Sequence, residues 1–112
     1  MLRETQDEIT EWSNKNFGVV LNSQIPYRVS SFLGMVEEMG EIAHSILKLT
    51  QGIRGETSTH IEGIKDGIAD LLIFLLDFCG RNGMDAESLL NDVWAKVKLR
   101  DWTKDRLKGG VE

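Results

Sequence analysis

The chain has 112 residues, 41% of them hydrophobic and 28% charged, which fits one globular domain and excludes a disordered or membrane-embedded polypeptide. Its formal net charge of -5 argues against simple electrostatic binding to nucleic acid or an anionic membrane, so an anionic ligand would need metal ions or locally placed Lys and Arg. The one cysteine, Cys79, cannot form an internal disulfide, and a reducing cytoplasm is the expected setting.

One proline, many Leu, Ile, Glu and Lys residues and few β-branched runs predict an all-α chain. The first helix is expected over about Leu2 to Asn16, with Leu2, Thr5, Ile9 and Trp12 on one stripe and Gly18 as its stop. A linker with Asn22, Ser23 and Pro26 follows, and Ser30 or Ser31 is expected to cap a second helix running to about Leu49. Phe32, Met35, Val36, Met39, Ile42, Ala43, Ile46 and Leu49 recur on it at spacings of three and four, a stripe expected to face the core. Its methionines, Met35 and Met39, read as packing residues.

Thr50 to Ser58, with Gly52 and Gly55, reads as a loop, and Thr59-His60-Ile61-Glu62 has the capping-box pattern that starts a third helix ending near Gly80. Leu71 to Leu76 is apolar nearly all round, as expected of a central helix, and is too short to span a bilayer. No N-terminal signal pattern is visible. Asp85 is expected to cap a fourth helix through about Arg100, with Leu89, Leu90, Val93, Trp94 and Val97 facing inward. No domain boundary is visible, so residues 1–112 form a single domain with a loose tail from about 106 onward. A domain this small buries only about two-thirds of its unfolded surface, and association would help it.

Carboxylates interrupt this apolar pattern. Glu37 and Glu41 lie one turn apart, and Glu38 is within reach of Glu41 at three residues. On the third helix Glu62, Asp66 and Asp70 are spaced four and four, and the last of them adjoins the most apolar segment of the chain. A carboxylate there costs several kcal/mol in lost solvation unless something positive compensates it. Two acidic clusters facing each other across antiparallel helices would call for Mg²⁺ or Mn²⁺, hard cations that prefer oxygen ligands.

Glu37-Glu38-x-x-Glu41 followed after a helix-loop-helix interval by Asp66-Gly-Ile-Ala-Asp70 resembles the MazG-type all-α nucleoside triphosphate pyrophosphohydrolases, whose pattern is E-E-x-x-E and then E-x-x-D. Glu11-Trp12 through Phe17-Gly18 is similar to that family's first helix and its exit, and Val93 through Trp102 to the basic segment after the central helix, so the resemblance spans nearly the whole chain. It implies a four-helix bundle-like protomer whose core is completed by oligomerisation, as a homodimer or dimer of dimers. It also implies cleavage of a nucleoside triphosphate to the monophosphate and pyrophosphate, with Mg²⁺ or Mn²⁺ as cofactor. Glu38, Glu41 and Asp70 match the ligand positions, and Glu37 would hold a second metal or orient the attacking water.

The family's Glu in E-x-x-D falls on Gly67 here, and Asp66 is the expected replacement ligand. Gly67 therefore keeps open an alternative, a catalytically degenerate helical module that binds nucleotide or a protein. Gly63 and Gly67 equally suit close helix packing. Among the remaining candidates, Lys96 and Arg100, one turn apart, could grip the triphosphate or merely complement a helix C-terminus. Trp12 and Trp102 could stack on a base or pack, His44 could touch substrate or relay a proton, and Arg54 could reach a phosphate from its loop.

Overall fold

The computed structural model describes residues 1–18 and 26–104; the expected linker positions Asn22 and Ser23 and the tail from 106 lie outside these. The described residues form four helices and no strand: α1 (Leu2–Phe17), α2 (Tyr27–Gln51), α3 (Thr57–Arg81) and α4 (Ala86–Val97). The all-α expectation holds. No described helix is long and apolar enough to cross a membrane.

Two helix starts differ from expectation, each for a local reason. Pro26, with φ of -56°, presets the chain for a helix beginning at Tyr27, ahead of the expected serine caps. Ser30 Oγ instead accepts from Arg81 at 2.7 Å, and Ser31 Oγ is buried with no hydrogen-bond partner. Helix α2 stops at Gly52, whose φ of 69° lets its N–H bond back to the Leu49 and Lys48 carbonyls. The connection then closes quickly, because His60 Nε2 lies 2.9 Å from the Ile53 carbonyl. Helix α3 consequently begins at Thr57 behind Glu56, and the Thr59 capping box is not used. Its Glu62 ion-pairs instead with Lys65 at 3.2 Å. The Asp85 cap is present, its side chain accepting from the Glu87 N–H at 3.1 Å.

Helices α2 and α3 pack as an antiparallel hairpin, with three glycines at the seam. A Cβ at Gly63 would lie 2.8 Å from Ser45 Oγ, one at Gly67 would lie 2.6 Å from Ile42 Cγ1, and one at Gly34 would strike the Phe74 ring. Read in order, these pairings run in opposite directions along the two helices. They place residue 38 of α2 opposite residue 70 of α3.

The side of α2 that meets α3 is its small and polar flank. Ser31 and Glu38 are buried there and Ile42, Ser45 and Leu49 half-buried, whereas Phe32, Val36, Met39, Ala43 and Ile46 of the expected core stripe are exposed. Helix α1 behaves likewise. It buries Gln6 and Ser13 against the C-terminal half of α3, while Trp12 is exposed and meets Phe17 edge-on at 5.5 Å. Gln6 donates to the Met84 carbonyl at 2.8 Å and accepts from the Ala86 N–H at 2.9 Å, fixing the α3–α4 turn on α1. Helix α4 packs chiefly on α1, with Glu87 accepting from the Leu2 N–H at 2.9 Å. Its expected inward residues Leu89, Leu90, Val93 and Trp94 are exposed within the single chain, and Val97 is half-buried. Leu76 and Cys79 are the only fully buried apolar residues among those described.

Candidate metal centre

Close approach of α2 to the glycine face of α3 carries Glu38 into the seam between them. Glu38 is 8% exposed, yet its Oε2 has no hydrogen-bond partner. Burial pushes its carboxyl above the usual glutamate range, and the charges of Glu41, Asp70 and Glu37 push in the same direction. Glu37 and Glu41 stand beside it on the exposed side of α2, and each of the three offers a carboxylate oxygen within 4.8 Å of the others. Among the described residues no ion pair reaches any of them.

These three carboxylates could hold a metal ion. A fully oxygen donor set with an excess of negative charge and one desolvated, unpartnered oxygen suits a hard divalent cation. A thiol does not compete for the role. Burial raises the Cys79 thiol, with a smaller push from Asp85, so it stays protonated and inert.

Asp70 is exposed on α3 and acts on Glu38 through its charge, but its oxygens fall outside the three-residue ligand set. Asp66, one turn earlier and also exposed, is outside it as well. Gly67 is buried and packed onto Ile42, which accounts for a glycine at this position without reference to a ligand.

His44 shares the exposed side of α2 with Glu37 and Glu41 at helical spacing. Arg54, at φ of 60°, stands in the interhelical loop, more than two turns of α2 beyond Glu41. Lys96 is exposed at the end of α4, Arg100 is half-buried just past it, and Trp102 is exposed in the following turn. Helix α4 packs on α1 rather than along the hairpin, so its packing does not bring Lys96 to the acidic group.

Comparison of the chain with protein-family models, with curated proteins and with solved structures finds no match. The site is therefore judged on its own chemistry.

A buried group that sequence reading missed lies at the far end of the hairpin. Arg81 Nε pairs with Asp77 Oδ2 at 3.0 Å, with both side chains under a tenth exposed. The guanidinium stacks 4.3 Å from the Tyr27 ring centre and donates to Ser13, Ser30 and the Tyr27 carbonyl. An Asp and an Arg four residues apart at the end of an apolar helix were the available signal, but such pairs are usually solvent-exposed.

Proposed function

We propose that the chain is a metal-dependent nucleotide pyrophosphohydrolase that cleaves a nucleoside triphosphate to its monophosphate and pyrophosphate. The observation that carries the reading is Glu38, a desolvated carboxylate with an unpartnered oxygen inside a three-glutamate cluster that no described cation neutralises. Glu38 and Glu41 would hold the ion, Mg²⁺ or Mn²⁺, and Asp70 would supply further negative charge from across the seam. When bound, the ion neutralises phosphate oxygens and lowers the pKa of a coordinated water. Glu37, on the exposed side, would orient that water and accept its proton. The resemblance of Glu37-Glu38-x-x-Glu41 and Asp70 to the MazG-type pattern supports the same chemistry.

Assembly belongs to this reading. On a helix at 100° per residue the exposed apolar residues of α2 and the Ile61, Ile68, Leu72 and Leu75 stripe of α3 emerge on one side of the hairpin, and the acidic residues emerge on the other. These side chains, each about half-exposed, present on the order of 800 Å², the per-partner area of a standard stable interface. A second copy of the chain covers that side as a homodimer or dimer of dimers and leaves the carboxylates open to substrate.

The second reading, a binding module without turnover, is favoured by one observation: α3 brings no carboxylate into the ligand set. Incubation with a panel of nucleoside triphosphates and Mg²⁺ or Mn²⁺ decides between them. The hydrolase reading expects metal-dependent pyrophosphate release that Glu38→Gln reduces by 10²-fold or more. Nucleotide binding without release supports the module.

A further inference from the structure

We infer that Arg81 is a positioning residue for the acidic site, clamping α2 to α3 in the one axial register that sets Glu38 opposite Asp70; this rests on the metal-site reading above. The seam between the two helices is lined by Gly63, Gly67 and Gly34 against Ser45, Ile42 and Phe74. Apolar contact across this seam is non-directional, so it defines an axial position less sharply than hydrogen bonds do. Directional bonds from α3 to α2 gather at one end. Arg81 Nη1 donates to the Tyr27 carbonyl and to Ser30 Oγ, both at 2.7 Å, and Asn82 Nδ2 donates to the Arg28 carbonyl at 2.9 Å.

The guanidinium cannot itself drift. Asp77 Oδ2 lies 3.0 Å from Nε as an ion pair without hydrogen-bond alignment, Ser13 of α1 accepts from Nη2 at 2.6 Å, and the Tyr27 ring lies against its face. A planar fork serves these partners in fixed directions, which a lysine ammonium does not. Tyr27 precedes Glu38 by the same number of residues as separates Asp70 from Arg81, so both arms run about 16 Å from clamp to site. A slip at the clamp therefore reaches the acidic level undiminished. One residue of slip is about 1.5 Å, and Mg²⁺ demands near-ideal geometry with oxygens at about 2.1 Å.

The experiment reads register and metal separately. A Cβ at Gly63 would stand 3.7 Å from Ser45 Cβ, within disulfide range, so Ser45→Cys with Gly63→Cys reports register by its rate of oxidation. Arg81→Gln and Arg81→Lys are placed in this background and in the parent chain, folding is checked by circular dichroism, and binding of Mn²⁺ alone is measured well below each melting temperature. The expected result is slower cross-linking and at least tenfold weaker Mn²⁺ binding in both Arg81 variants, with the affinity restored once the disulfide has formed. Melting temperatures that fall while cross-linking rate and Mn²⁺ affinity stay at parental values overturn the inference, since a purely structural Arg81 predicts that pattern. If the parent binds no Mn²⁺ while cross-linking still depends on Arg81, the register clamp stands and the metal-site reading fails.

Discussion

Burial of Glu38 is costly, and the cost has a measurable sign. Its carboxyl is held above the ordinary glutamate value, first by desolvation and then by Glu41, Asp70 and Glu37. A folded-state pKa raised above the unfolded one means that the folded chain binds the proton more tightly, so the associated stability is full below about pH 4.3 and is lost as pH rises through the raised value. Metal-free protein should therefore become less stable over that window, and Glu38→Gln, which keeps the shape and removes the charge, should flatten the descent. Added Mg²⁺ should stabilise the parent increasingly across the same window, because the ion and the proton compete for one carboxylate. At a hundredfold excess over its dissociation constant, a ligand of the folded state adds about 2.7 kcal/mol. Thermal melts over a pH series, with and without Mg²⁺, check both statements; a Glu38→Gln variant that still gains stability from Mg²⁺ would place the ion elsewhere.

Between α2 and α3 the deciding contact is Gly67 on Ile42. Gly67→Ala puts a methyl 2.6 Å from Ile42 Cγ1 in a buried seam, and overpacking of this kind typically costs about 1–3 kcal/mol, partly offset by the roughly 1 kcal/mol by which alanine favours a helix. Pairing it with Ile42→Ala removes the obstructing carbon, so the two changes together should destabilise by about 1 kcal/mol less than their sum in denaturant titrations. Additive effects would show that the seam relaxes freely. A glutamate at position 67 would start from the same Cβ, so it must displace Ile42 before it can reach the cluster, and such a variant should lose stability without gaining metal affinity. Sequence periodicity located all four helices and the Asp85 cap because both are local properties. Within the single chain the stripes it predicted on α2 and α4 stay largely exposed, because a stripe of Phe32, Val36, Met39 and Ile46 announces that it will be covered without saying by what. The glutamate cluster was legible for the same local reason, as three residues on one helix. Asp70 was legible only as a neighbour, since whether its oxygens join the set depends on the separation of two helices. Arg81 escaped notice because its partners come from three helices.

At the scale of the whole molecule, a hairpin with glycines and polar residues inside and leucine, isoleucine and methionine outside makes sense as half of something larger. Two fully buried apolar residues and a set of half-buried ones form a thin core against a conformational entropy cost on the order of 1–2 kcal/mol per residue. The missing core is on the surface: Phe32, Val36, Met39 and Ile46 on α2 and Ile61, Ile68, Leu72 and Leu75 on α3 line one side of the hairpin. If a second copy supplies the cover, folding and association are one equilibrium, and the melting temperature must rise with protein concentration. Leu72, 52% exposed at the middle of α3, is the sharpest probe, because Leu72→Asp buries an unpaired carboxylate in the dimer and leaves it solvated in the monomer. A loss of about 2 kcal/mol, the threshold of an interface hot spot, weakens association roughly 30-fold. Sedimentation equilibrium should find the parent associated at micromolar concentration and Leu72→Asp shifted to monomer, with a broader and less cooperative melt. Glu37→Gln, on the opposite side of the hairpin, should leave association unchanged, which separates a general charge effect from loss of the interface. A parent chain that sediments as a stable monomer, with a melting temperature independent of concentration, would require this apolar side to be covered from within the chain.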